Sequence, residues 1–166
     1  MIISKTPYRI SFFGGGSDYP EWYLKNGGEV LSTTIDRHIY ITCRFLPPFF
    51  KHKHRIVWSK LERVKKTEDI KHDSVRELLR VMKIKKGLEI HYDGDLPARS
   101  GVGSSSAFTV GLLNALYAYI GKTVTSKQLA EESIHIEQTL VGEQVGSQDQ
   151  VCAAFGGINK IEFQTN

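Results

Sequence analysis

The chain has 166 residues, 40% hydrophobic and 24% charged, which suits one domain with a buried core but not two large ones. Its 22 Lys and Arg residues outnumber 18 Asp and Glu residues, and the net charge of +4 favours anionic ligands. No apolar run reaches the ~20 residues of a membrane span, and two cysteines are too few for a disulfide scaffold. We therefore expect a soluble, cytoplasmic protein with no membrane partner.

Basic residues cluster in three short runs, KHKHR (51–55), RVKK (63–66) and KIKK (83–86). Runs of this kind usually form solvated faces, and no recognisable nucleic-acid-binding motif accompanies them. We therefore expect no nucleic-acid partner.

The first half of the chain is predicted to be rich in strands. YRISFF (8–13) and the long segment 29–46 have strand composition, and alternation in the second predicts one face containing Ile39, Ile41 and Phe45. RIVWS (55–59) is predicted to pair with that long strand as a hairpin.

The second half is predicted to be mainly helical. A short amphipathic helix (73–84) and a strand (88–96) come first. Three helices follow, of which the first is apolar nearly all round and should be central and buried. The second begins with Thr125 and Gln128 at the spacing of a capping box. These helices cover 105–120, 125–140 and 147–155, and a returning strand covers 156–163. The whole chain, 1–166, is predicted to be a single α+β domain.

The connection between the strand at 88–96 and the central helix has an unusual composition. Pro97 stops the strand, Gly101 and Gly103 permit positive φ angles, and Ser104 can cap the helix. A helix N-terminus with free N–H groups favours a phosphate, and Arg99 adds a cation. The loop lacks the Gly-Lys-Ser/Thr of the Walker motif, so an ordinary strand-to-helix turn is the alternative.

Three segments, in this order, resemble motifs of the GHMP kinase family: TPYRISFFGGGSDY (6–19), LPARSGVGSSSAF (96–108) and VGEQVGSQDQVCAAFGG (141–157). The resemblance implies the family's N-terminal ATP-binding domain, with a mixed sheet carrying helices on one face. Members of the family continue into a C-terminal domain, so the resemblance also implies that this chain is truncated and that its activity alone is in doubt.

The resemblance implies a set of ligand-binding residues. ATP and Mg²⁺ are the implied cofactors, with Ser105 and Glu137 as metal ligands. Asp149 would be the catalytic base or orienting carboxylate, and Arg9 would neutralise charge beside it and lower its pKa. The implied ATP-binding residues are Pro97, Arg99, Ser100, Gly101, Val102, Gly103, Ser104, Ser105 and Ser106. The implied substrate-binding residues are Arg9, Gly14, Gly15, Gly16, Asp18, Tyr19 and Asp149.

The local patterns leave other interpretations open for the charged residues among these. Glu137 shares an apolar helix stripe with Ala130, so a buried salt bridge is an alternative to a metal site. Asp149 suits the first turn of a helix by its charge alone. Arg9 alternates with its neighbours and is expected on the face away from Tyr8, as a surface cation. Asp18 resembles a cap for a helix beginning near YPEWYL (19–24).

Within the family, GGGSDYPEWY (14–23) is most similar to the branch that phosphorylates D-glycero-D-manno-heptose 7-phosphate, for surface polysaccharide synthesis. Galactokinases carry an acidic residue and a histidine in place of Gly15 and Gly16, which argues against galactose. The implied activity is ATP-dependent transfer to the anomeric hydroxyl, giving the 1,7-bisphosphate. The alternatives are a kinase for another sugar, such as fucose, and a non-catalytic binding fragment. A homodimer remains possible.

Overall fold

The computed structural model describes residues 1–98 and 100–165. Within them, the strands are β1 (Ile2–Phe13), β2 (Gly28–Phe45), β3 (His54–Val57), β4 (Leu61–Val64), β5 (Leu88–Gly94) and β6 (Ile158–Phe163). The α-helices are α1 (Pro20–Asn26), α2 (Asp73–Val81), α3 (Ser104–Tyr119), α4 (Ser126–His135) and α5 (Gln148–Phe155). A 3-10 turn covers Thr67–Asp69, and a π-helix, Ile136–Val141, continues α4. No helix of these residues is long and apolar enough to cross a membrane.

The strands form one mixed sheet in the order β1-β2-β5-β3-β4, with β6 paired to the first part of β2. The β3–β5 pair is parallel, while the other pairs are antiparallel. This confirms the predicted α+β class with a mixed sheet. The hairpin predicted between 55–59 and the long strand is wrong. Residues Ile39–Phe45 of β2 lie between β1 and β5, so β3 pairs with β5 instead.

The core lies between the sheet and the helices, and α3 is its centre. Ten of the 16 residues of α3 are buried, which confirms the predicted central helix. Its leucines at 112, 113 and 116 are almost fully buried, and each such side chain stabilises the fold by about 1.5–3 kcal/mol. A Cβ atom at Gly111 would lie 2.6 Å from Thr6 Oγ1, so this glycine lets α3 approach β1 closely.

The β1–β2 ladder is irregular beside Tyr8 and Arg9. Pro7 pairs with His38 but Arg9 pairs with Thr34, so β2 has two extra residues at this point. Tyr8 is fully buried in the core, and the neighbouring Arg9 side chain is also only 15% exposed. The alternative that Arg9 is a surface cation is therefore wrong, because its guanidinium is covered by contacts with α5 and with the loop before α3.

The predicted face of the long strand is confirmed only in part. Ile39 and Ile41 are fully buried as expected, but Phe45 is 45% exposed. Phe45 is the last residue of β2 and pairs with the first residue of β5, so it lies at the margin of the helical layer.

The two helix starts singled out in the sequence differ in their caps. Thr125 Oγ1 accepts a hydrogen bond from the Gln128 amide at 3.1 Å, so the predicted cap of α4 is present. The cap predicted at Ser104 is wrong, because Gly103 in a left-handed conformation precedes α3 and Ser104 is its first residue. The Ser104 amide and those of the next two residues therefore begin the helix without a capping side chain.

Candidate active site

The centre of the candidate site is an ion pair between β1 and α5. Arg9 Nε donates to Asp149 Oδ1 at 2.6 Å. The same guanidinium donates from Nη1 to the Gly101 carbonyl at 2.8 Å, and the Arg9 amide donates to the Val102 carbonyl at 3.1 Å. Arg9 therefore joins the predicted phosphate loop to the predicted catalytic carboxylate.

The loop passes this pair at Gly103, where the backbone conformation and the close neighbours favour glycine. Gly103 has φ of 74°, in the left-handed region. A Cβ atom at this position would lie 3.1 Å from Asp149 Oδ2 and 3.3 Å from Arg9 Cγ. The sequence indicated that this glycine permits a positive φ angle, and the structure adds its close approach to Arg9 and Asp149.

The ionisation of Asp149 is set by two opposing effects. Burial raises its pKa above the ordinary value, while the charge and hydrogen bond of Arg9 lower it, and the charge of Asp18 raises it slightly. The net direction is upward. The lowering of this pKa by Arg9, which the family resemblance implied, is present, but burial outweighs it and the pKa lies above its ordinary value. A carboxylate of raised pKa is a better proton acceptor near neutral pH than a solvated one.

The glycine-rich turn after β1 places Asp18 against the start of α5. Asp18 is 1% exposed, Oδ1 accepts from the Gly16 amide at 3.1 Å, and Oδ2 accepts from the Gln148 amide at 3.2 Å. Its own carbonyl accepts from the Ser147 amide at 3.0 Å. Asp18 does not cap α1, whose preceding residue is Tyr19. Its carboxylate caps the helix that carries Asp149.

Glu137 lies beneath the loop in the π-helix and is fully buried. Ser106 Oγ donates to its Oε2 at 2.8 Å, and Gln150 Nε2 donates to the same oxygen. Burial raises its pKa above the ordinary value, and hydrogen bonds offset only part of the rise. In the described part of the chain it makes no salt bridge, so the alternative of a buried salt bridge fails. Its Oε1 has no hydrogen-bond partner among these residues.

The predicted metal ligands can be tested against this geometry. The residues described contain no group of three or more His, Cys, Asp or Glu side chains able to hold a metal ion. Magnesium, however, usually takes one or two carboxylates and completes its shell with substrate phosphates and water. Glu137 offers a buried carboxylate oxygen without a partner, and Ser105 is an exposed hydroxyl in the first turn of α3. The donor set fits a magnesium ion held jointly with a nucleotide.

A cleft of about 520 Å³ opens beside the first turn of α3. Ser104 and Ser105 form its loop side. An aromatic wall faces them, in which His72 stacks on Phe108 at 4.7 Å between ring centroids and meets the edge of Trp58 at 4.9 Å. Tyr92, Lys71, Asp73, Ser74, Ala98 and Glu143 complete the lining. The first turn of a helix beside an aromatic wall suits a nucleotide.

The structure brings some of the predicted residues together and separates others. Arg9, Asp149 and the loop 101–103 meet directly, and Ser104 and Ser105 lie at the adjoining cleft. Pro97 and Ser100 are exposed, and Ser100 Oγ donates to the Pro97 carbonyl at 2.8 Å.

Other predicted residues surround this group or lie apart from it. Gly14, Gly15, Gly16 and Tyr19 are exposed at the turn beside α5, whereas Ser106 and Glu137 are buried below the loop. Arg99 lies outside the described residues.

Sequence reasoning missed several residues of the site. Trp58 falls in a predicted strand and His72 just before a predicted helix, and nothing local marks either as a cleft residue. Gln150 and Gly146 lie within the predicted segment 141–157, and their closeness to Asp149 in the sequence is the available signal. Contacts made across many residues, such as that between Asp18 and Gln148, have no local signal at all.

Comparison with known proteins agrees with this arrangement. The model of the GHMP kinases N terminal domain matches residues 68–157. The D-glycero-alpha-D-manno-heptose 7-phosphate kinase of Campylobacter jejuni is 30% identical, over 99% of this chain and 51% of the relative. The galactokinase of Thermotoga maritima is 26% identical, over 92% of this chain and 43% of the relative. The chain thus spans about half the length of the curated relatives it matches.

Solved structures share the fold over the whole chain. A D-glycero-D-manno-heptose 1-phosphate kinase from Bacteroides thetaiotaomicron superposes with a TM-score of 0.87 at 27% identity, covering all of this chain and 57% of that one. A mevalonate kinase superposes with a TM-score of 0.75 at 17% identity, over all of this chain and 55% of that one, and shows the fold alone. The family match covers more than half of the chain. The chain therefore belongs to the GHMP kinase family, in the part that forms the family's N-terminal domain.

Proposed function

We propose that this chain is the nucleotide-binding part of an ATP-dependent sugar-phosphate kinase. The observation that carries the proposal is the Arg9–Asp149 pair lying directly against the Gly101–Gly103 loop. Phosphoryl transfer depends on positioning and on neutralising charge more than on covalent chemistry. A phosphate cradle, a cation and a carboxylate in direct contact supply those requirements in one place.

Asp149 is the proposed acceptor of the proton from the attacking sugar hydroxyl, or the group that orients that hydroxyl. Its raised pKa suits that role, and its side chain remains 23% exposed, so a hydroxyl can reach it. Arg9 holds one carboxylate oxygen and leaves the other, Oδ2, on the loop side.

Magnesium is proposed as the cofactor that accompanies ATP, held by the Ser105 hydroxyl and Glu137. When bound, it would neutralise charge on the nucleotide phosphates. The chain's own contribution is to hold Glu137 in place, through Ser106 and Gln150. The remaining loop residues, Arg99 among them, would contact the phosphates as the family resemblance implies.

The sugar is proposed to bind at the turn Gly14–Gly16 with Tyr19, beside Arg9 and Asp149. A Cβ atom at Gly15 would lie 3.7 Å from Ser11 Oγ and 3.9 Å from Gln148 Nε2, so a side chain would fit there. Because Gly15 has no side chain, that space is left to the substrate. The spare room and the surplus of positive charge favour a larger, phosphorylated sugar. The specific proposal is D-glycero-D-manno-heptose 7-phosphate, converted to the 1,7-bisphosphate, and the relative from Campylobacter jejuni supports it.

The test is ATP-dependent phosphorylation of that heptose phosphate, using this chain and, in parallel, the complete product of its gene. We expect turnover that Asp149→Asn reduces at least a thousandfold while magnesium–ATP still binds. Galactose and fucose serve as comparison substrates, because galactokinases are also among the relatives. Preferential turnover of either would replace the heptose assignment. Absence of nucleotide binding would overturn the kinase proposal and favour a non-catalytic fragment.

A further inference from the structure

The first turn of α5 lacks a local cap, although it carries the proposed catalytic residue. Ser147 precedes α5, and its side chain makes no capping hydrogen bond. The amide of Gln148, the residue before Asp149, donates instead to Asp18 Oδ2 at 3.2 Å, across 130 positions of sequence. The Ser147 amide donates to the Asp18 carbonyl at 3.0 Å. Asp18 therefore supplies both the side-chain and the backbone acceptor for the start of this helix.

The fit between Asp18 and this helix start is close. A Cβ atom at Gly146 would lie 1.9 Å from Asp18 Oδ2, a distance that no side chain can occupy without displacement. The other carboxylate oxygen accepts from the Gly16 amide at 3.1 Å. With 1% of its surface exposed, Asp18 is enclosed between the glycine turn and α5.

This placement differs from that of a sugar ligand. A group that binds sugar hydroxyls must be reachable by the substrate, whereas Asp18 is almost fully buried and each of its oxygens already accepts a backbone N–H group. The nearby Asp149 is open by comparison, at 23% side-chain exposure.

We infer that Asp18 is a positioning residue: it fixes the first turn of α5, and through it the place of Asp149 relative to the phosphate loop. The inference rests on the proposed kinase function. Because Asp18 also contacts the Gly14–Gly16 turn, the same carboxylate links the proposed sugar subsite to the catalytic helix. A displacement of Asp149 by 1 Å is enough to cost about a hundredfold in rate.

The test is steady-state kinetics of Asp18→Asn, which keeps the shape but places an NH₂ group against a backbone N–H. We expect kcat to fall at least tenfold with the KM for the sugar changed less than twofold. A negative charge is also lost near Asp149, so the acidic limb of the kcat profile should move to lower pH. A rise in sugar KM of tenfold or more with kcat retained would overturn the inference and identify Asp18 as a sugar ligand.

A second variant disturbs the same contact without removing charge. Gly146→Ala should lower kcat to a similar extent with no shift of the acidic limb. Asp36→Asn is the matched control, because it removes the same charge from a side chain that is 96% exposed, and it should leave both constants unchanged. If Gly146→Ala behaves like the wild type, the inference fails.

Hydrogen exchange separates this inference from the kinase proposal, because it needs no turnover. In Asp18→Asn the amides of Ser147 and Gln148 should exchange at least tenfold faster than in the wild type, while those of α3 remain protected. Unchanged exchange would overturn the positioning role even in an active kinase. If exchange is faster in Asp18→Asn but the protein phosphorylates no sugar, the capping role of Asp18 stands. The proposed function is then overturned, and the cap has no catalytic consequence.

Discussion

Gly103 and Gly101 have nearly the same backbone conformation but different surroundings. Their φ angles are 74° and 75°, so alanine at either position costs about 1–2 kcal/mol for the left-handed conformation. Only at 103 does the added methyl group meet Asp149 and Arg9; at 101 it meets open space. We expect Gly103→Ala to lower the free energy of unfolding more than Gly101→Ala, as measured by urea denaturation. Equal losses would show that the loop does not press on the pair.

The ion pair between Arg9 and Asp149 predicts a pH effect with a definite sign. Removing the cation by Arg9→Gln disfavours the charged form of Asp149, so its pKa rises further above the ordinary value. Since turnover needs the carboxylate, it is lost as pH falls through that pKa. We therefore expect the acidic limb of the pH profile of kcat/KM to move to higher pH in the variant, and the maximum value of kcat/KM to fall. Arg37→Gln, at an exposed position, should leave the limb in place.

Glu137 predicts a pH dependence of stability. Burial raises its folded pKa above that of the unfolded chain, so the folded protein binds more protons between the two values. The free energy of unfolding therefore falls as pH rises through that interval. Glu137→Gln removes this contribution and should flatten the fall, measured by denaturant unfolding at several pH values. The fall would not vanish, because burial also raises the pKa values of Asp149 and Glu143. An unaltered slope would contradict the prediction.

At the scale of elements, Glu89 joins three strands. Glu89 lies on β5, 3% exposed, and pairs with Arg44 on β2, Arg55 on β3 and His91 on its own strand. Burial raises the pKa of Glu89, but the hydrogen bonds and charges of these partners outweigh it, and the pKa lies below its ordinary value. Its stabilising contribution is therefore present above the unfolded pKa and is lost as pH falls through the folded one.

Glu89→Gln should destabilise the fold because it leaves cations without their buried partner, at a cost of about 3 kcal/mol. The measurement is the free energy of unfolding in urea at neutral pH. Lys160→Met is the control, since Lys160 pairs with Glu29 and Glu162 at the surface and its removal should change stability little. A loss no larger than that of the control would show that the three strands do not depend on Glu89.

For the whole molecule, the cleft beside α3 predicts the position of the nucleotide base. Trp58 forms part of the aromatic wall, and its indole N–H donates to Glu62 Oε1 at 3.0 Å. The Glu62 carboxylate also accepts from the Lys71 amide at 2.6 Å, so it fixes two parts of the wall. A base stacked on this wall would gain about 1–3 kcal/mol.

Trp58→Leu should therefore weaken magnesium–ATP binding about tenfold or more. The measurement is calorimetric titration with nucleotide. The other tryptophan, Trp22, is 54% exposed on α1, and Trp22→Phe is expected to keep the affinity. In that variant the fluorescence of Trp58 alone should change when nucleotide binds. Equal affinity in Trp58→Leu would place the base elsewhere.

The sequence by itself determined the class of fold, the extents of most helices and strands, and the motifs of the site. Local rules suffice for these features. Unbroken apolarity marks the buried α3, and the spacing of Thr125 and Gln128 marks the start of α4. The glycine and serine pattern at 96–108 identified the loop because its chemistry is contained in a few adjacent residues.

Only the tertiary structure decided how those parts meet. Contacts with Asp149 and the Gly101 carbonyl cover the Arg9 side chain, for which the local pattern had left a surface cation as an alternative. The pairing of β3 with β5, the net rise in the pKa of Asp149, and the capping of α5 by Asp18 likewise arise between distant segments. The physical reason is the same for each: burial and long-range hydrogen bonds depend on which segments pack together, and a local pattern contains no information on that packing.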